Sequence, residues 1–150
     1  MAIVSTYKVA IPREGEFLRS MHIPAPQLVA HRKWLWSELA VNGNVYELFG
    51  LPAMTLVHKV LSAVAVAWTA SVTITIGDGA LGAACFFSSA NIAPQTAVTT
   101  GVMVDSEVSA GTAANGKYYA AADTIDATIA GATPAAGELN LWVIYSLMQE

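Results

Sequence analysis

Residues 124–129, Thr-Ile-Asp-Ala-Thr-Ile, alternate strictly, with Ile125, Ala127 and Ile129 on one side and Thr124, Asp126 and Thr128 on the other. An extended strand separates residues in this way and a helix does not. A Gly/Pro turn follows at 131–137. Alternation then resumes over 138–147, placing Leu139, Leu141, Val143, Tyr145 and Leu147 on one face. Two such strands around a turn read as a hairpin, and its single apolar side needs a second layer to cover it. The chain is therefore expected to be a β-rich module built in layers.

The 150 residues are enough for one domain with one substantial core. Hydrophobic residues make up 55% and charged residues only 12%, against roughly 25% charged in ordinary domains. Membrane proteins share this composition, as do subunits that bury much of their surface in an assembly. The one candidate membrane span is the uncharged run 60–77. It contains Ser62, Thr69, Ser71, Thr73 and Thr75, its only close basic flank is Lys59, and its second half alternates like a strand. No membrane partner is expected. Residues 1–10 lack a basic stretch followed by an apolar core, so the chain is expected to be made and kept in a cytoplasm.

A net charge of -4 argues against a nucleic-acid partner, which requires a basic patch to neutralise phosphates. All the Lys and Arg residues except Lys117 lie at or before position 59. The first third is thus either the part that meets an acidic partner or an ordinary solvated face. The single cysteine, Cys85, excludes an internal disulfide; beside Phe86 and Phe87 it reads as a buried, inert thiol.

Along the chain, residues 1–27 read as an extended arm: a β-prone start is followed by Pro12, and Pro24 and Pro26 restrict the residues before them. Such an arm either packs along the edge of its own sheet or reaches a neighbouring subunit. Residues 28–150 read as the folded domain. Arg32, Trp34 and Trp36 are spaced to share one strand face, which suits cation–π contact and a protein interface; equally, the tryptophans would close one end of the core. Tyr7 and Ile23 in the arm join these three as candidate interface residues. The turn at 42–44 and the strand 45–49 complete an expected second hairpin.

Residues 54–68 carry Leu56, Val60, Val64 and Trp68 at helical spacing, but their β-branched content and lack of a helix cap favour a strand. A clean strand at 72–76 ends at the turn Gly77-Asp78-Gly79. Residues 80–116 are weakly patterned, with one strand expected at 100–104. Many strands and at most one helix read as an all-β, single-domain sandwich, jelly-roll or Greek-key like.

No catalytic or cofactor signature is present. His22, His31 and His58 lack zinc-motif spacing, and Gly77-Asp78-Gly79 lacks the acidic series of a calcium loop. Asp78 reads as a turn residue whose carboxylate bonds the next backbone amides. Asp123 and Asp126, three apart on a strand, face opposite ways and make no acid–base pair. There is no nucleophile elbow, P-loop or dinucleotide fingerprint. Neither an enzyme nor a bound cofactor or metal is expected.

Three passages carry a family resemblance: Val72-Thr-Ile-Thr-Ile-Gly-Asp-Gly79, Gly116-Lys-Tyr-Tyr-Ala-Ala-Ala-Asp-Thr-Ile-Asp126 and Ala132-Thr-Pro-Ala-Ala-Gly-Glu-Leu-Asn-Leu-Trp-Val-Ile-Tyr145. Over its last half the chain resembles small virion proteins of tailed bacteriophages. The resemblance implies a structural virion protein of the capsid cement or decoration type, bound to a major capsid protein lattice and closed on itself as a homotrimer. It transfers no catalytic residue. The alternatives are a tail or head-to-tail adaptor component, and a non-viral β-sandwich module that binds carbohydrate or peptide.

Overall fold

A computed structural model describes residues 3–4, 9–10, 26–79, 84–92, 94, 104–105 and 116–148. The described chain is nearly all β, in two sheets. One holds β1 (Ile3–Val4), β2 (Val9–Ala10), β4 (Val45–Leu51), β6 (Val72–Gly77) and β9 (Asp123–Gly131). The other holds β3 (Leu28–Leu35), β5 (Thr55–Val66), β7 (Val104–Asp105), β8 (Lys117–Tyr119) and β10 (Glu138–Leu147). The described helical content is a 3₁₀ turn at Trp36–Glu38 and the single turn α1 (Ser89–Ile92).

Pairing runs from the outside of the chain inward. β3 pairs with β10, β4 with β9, β5 with β8, and β6, through Ile76, with Phe87, all antiparallel. β10 also pairs with β5, and β9 with β6. Nested pairs wound into two facing sheets make a jelly roll. The all-β sandwich expected from the sequence is therefore the observed fold.

The two expected hairpins are not hairpins. β9 is central in one sheet and β10 is central in the other, and they do not pair with each other. Likewise β3 and β4, either side of residues 42–44, belong to different sheets. Both turns are arches that carry the chain across the sandwich. The 42–44 turn is bound to the end of β9, where the other arch begins, through Gly43 N–H to Ile129 O at 2.8 Å and Asn42 Nδ2 to Gly131 O at 2.9 Å. Gly137 shows why this arch needs glycine: its φ is 139°, and a Cβ there would overlap the Trp68 ring.

The cover that the apolar faces of β9 and β10 require is thus each other's sheet. Ile125, Ala127 and Ile129 from one side and Leu139, Leu141 and Val143 from the other are fully buried. Burying each of the Ile, Leu and Val side chains among them is worth roughly 1.5–3 kcal/mol.

The four-residue spacing of Leu56, Val60, Val64 and Trp68 does not mark a helix, because residues four apart also share one face of a strand. β5 is a strand, but its register against β10 slips between Val57 and Lys59, leaving His58 as an extra residue. This bulge sets Val57 and Val60 three apart on the buried face and leaves Leu56 off it. The run 60–77 is divided between β5 and β6, in opposite sheets. No helix among the described residues is long and apolar enough to cross a membrane. Of the arm, Ile3–Val4 and Val9–Ala10 pair in parallel with the edge of β4; Tyr7 and Ile23 lie outside the described residues. The strand expected at 100–104 is described only at Val104, within β7.

Candidate interaction surface

β3 alternates, and Arg32 and Trp34 share its inward side. Trp34 is fully buried and meets Phe49 edge to face, with ring centroids 6.4 Å apart. The Arg32 guanidinium lies 4.0 Å from the Trp34 ring centroid, and its Nη2 is 2.5 Å from Glu38 Oε1. Glu38 Oε2 also accepts the Leu35 backbone N–H at 2.9 Å. Arg32 is therefore clamped between a core indole and a carboxylate that caps the end of the strand.

Trp36 does not continue this face. β3 ends at Leu35, and Trp36 enters the 3₁₀ turn, where its backbone N–H donates to Gly137 O at 3.0 Å and its side chain is 39% exposed. The expected three-residue face thus divides. Trp34 closes the core and presents no surface, Arg32 is half-buried above it, and Trp36 is open to solvent.

A second surface comes from the outward side of the same sheet. Trp142 in β10 stacks on His31 in β3, with centroids 4.5 Å apart and planes at 16°. Trp142 stands directly between His31 and Leu61, and Ile144 between Val29 and Lys59. Val29 is 61% exposed. Alternation in β10 marks its inward face, and Trp142 and Ile144 occupy its outward positions. A strand apolar on both sides is the signature of a sheet covered on both faces.

The two described histidines do not converge, and His22 lies outside the described residues. His31 lies on Trp142, while His58 Nε2 is 2.8 Å from Ser146 Oγ. Among the described residues no cluster of His, Cys, Asp or Glu is arranged to hold a metal ion.

The third arrangement is internal. Asp78 follows β6, and its side chain is wholly buried. Rather than serving only its own turn, its carboxylate reaches the other sheet: Oδ2 accepts the Tyr119 hydroxyl at 2.7 Å and forms an ion pair with Lys117 Nζ. That ammonium lies 4.6 Å from the Tyr119 ring centroid. Burial, then Asp78, pushes the Tyr119 hydroxyl far above its ordinary pKa. Burial and the same carboxylate push the Cys85 thiol up to about 12, so the inert thiol expected from the sequence stays protonated at neutral pH. Asp126 is on the outward face of its sheet, directly opposite Glu47; burial first, then neighbouring carboxylates, raise its pKa.

No family model and no curated protein matches the chain. Its fold does match chains in solved phage capsids. A chain in the acidic stable capsid structure of Helicobacter pylori bacteriophage KHP30 aligns at a TM-score of 0.58 and 17% identity, covering 83% of this chain and 90% of that one. The capsid asymmetric unit of cyanophage Pam1 contains a match at 0.60 and 18%, covering 95% and 94%. The capsid of Ralstonia phage GP4 contains one at 0.57 and 17%, covering 99% and 100%. Each of these chains is matched over nearly its whole length, so each is, like this one, a small module built around the same sandwich.

Proposed function

We propose that the protein is a structural component of a tailed-bacteriophage virion, a cement or decoration protein that binds the major capsid protein lattice and stabilises the shell. The observation that carries this reading is the likeness of fold, over at least 83% of this chain and 90% of each of the others, to chains in three phage capsids. Chemistry supports it from a second side. A surface with few charges is cheap to desolvate, and the outward face around Trp142, Ile144 and Val29 offers apolar area of the kind found at interface cores.

In this reading the protein assembles in the host cytoplasm, closes as a homotrimer and works without catalysis, cofactor, nucleic acid or membrane. Trp36, Arg32 and the Trp142 face, together with Tyr7 and Ile23 of the arm, meet capsid or neighbouring copies. Symmetric closure also protects sheet edges. The test is co-sedimentation of purified protein with matching capsids that lack it, alongside its native mass. Saturable binding by a trimer is expected. Free protein in the supernatant at all concentrations contradicts the reading, and a ring-shaped oligomer that binds only the portal or tail points to the adaptor role.

A further inference from the structure

Lys117 is the only lysine or arginine after position 59, and the structure sets its ammonium against Asp78, a carboxylate with no exposed side-chain surface. Lys117 itself is only 19% exposed. The two are held by strands of different sheets: Asp78 directly follows β6, and Lys117 begins β8. We propose that Lys117 and Asp78 join in an intramolecular isopeptide bond, an amide between Nζ and Cγ that staples the two sheets of the sandwich.

The reaction balances within the pair. In the step, one ammonium proton passes to the carboxylate, leaving a neutral amine against a neutral acid. The Nζ lone pair attacks Cγ and forms the N–C bond, after which the Cγ–Oδ2 bond breaks. Oδ2 departs as water with two of the three ammonium protons, and the third stays on the amide nitrogen. No oxidant, reductant or other reactant is consumed.

Two features of the site favour this step. The Tyr119 hydroxyl donates a hydrogen bond to Oδ2, the departing oxygen, at 2.7 Å, which fixes the carboxyl group and draws electron density away from Cγ. Amine and carboxyl are held in contact by strands of the folded sandwich, and fixed juxtaposition of this kind corresponds to effective concentrations of about 10⁵–10⁸ M in favourable intramolecular reactions. The product carries no charge, so it removes the desolvation cost that the ion pair bears in the core.

The test is the intact mass of the purified full chain, measured after denaturation. The expected mass is one water below that required by the sequence. A protease digest then yields a branched peptide joining the Asp78 segment to the Lys117 segment, and Lys117 does not react with an amine reagent in denaturant. Lys117→Arg returns the full mass. The wild-type measurement stands without the variant. Full sequence mass with a reactive Lys117, or a lost water located elsewhere in the chain, overturns the proposal.

Discussion

Asp126 in β9 stands directly opposite Glu47 in β4, so two carboxyl side chains share one outward face of the sheet, and Asp126 Oδ1 is buried without a hydrogen-bond partner. Like charges facing across a strand pair are unfavourable. The Asp126 carboxyl is held above its ordinary pKa by burial and then by its acidic neighbours, Glu47 foremost. Its folded-state pKa is raised, so the protonated form is the one the fold prefers. Its contribution to stability is complete below the ordinary carboxylate value and is lost as pH rises through the raised value. Asp126→Asn should therefore raise the melting temperature at neutral pH and leave it nearly unchanged in acid. Thermal melts of both proteins across pH check this; a destabilised variant at neutral pH contradicts it.

Trp34, in the core, and Trp36, at the surface, should separate by experiment. Trp34→Ala removes a buried indole and its contacts with Phe49 and Arg32, and should cost about 3–5 kcal/mol in urea unfolding. Trp36→Ala, at an exposed site, should change stability by no more than about 0.5 kcal/mol. Its effect should appear in capsid binding instead.

At the arch between β9 and β10, Gly137 packs beneath Trp68 with φ at 139°. Gly137→Ala combines backbone strain of about 1–3 kcal/mol with displacement of the Trp68 ring. Loss of stability with a change in tryptophan fluorescence is expected, and a neutral result would mean that the arch is not held as described.

Individual strands were readable because alternation is a local property. Ile125, Ala127 and Ile129 announce their face within six residues, and β10 does the same with Leu139, Leu141 and Val143. Their pairing was not readable. Gly131 and Gly137 signal that the chain reverses, but a turn inside one sheet and an arch between two sheets use the same residue types. What separates them is which strand waits on the other side, and β10 finds β3 and β5, both far away in sequence.

The same limit hid the interior polar cluster. Asp78 in Gly-Asp-Gly looks locally like a turn residue, and its partners Lys117 and Tyr119 lie 39 and 41 residues further on. Trp34 and Trp36 were grouped because a strand was extended one residue too far, past Leu35 into the 3₁₀ turn. A local cue did exist for the outward face of β10, in the apolar Trp142 and Ile144 at its otherwise polar positions.

Val29 offers a way to probe that outward face without disturbing the core. At 61% exposure, Val29→Asp should leave the melt within about 0.5 kcal/mol of wild type. Placed beside Ile144, the new charge should weaken capsid binding at least tenfold, equivalent to about 1.4 kcal/mol. Unchanged binding would remove the Trp142 face from the contact surface.

The virion role is tested most directly by the heat stability of capsids that lack this protein, followed by light scattering or genome release with and without purified protein added back. Added protein is expected to bind to saturation and restore the higher disruption temperature of complete particles. Capsids equally stable with and without it, under conditions where wild-type protein is folded and in excess, would contradict a cementing role.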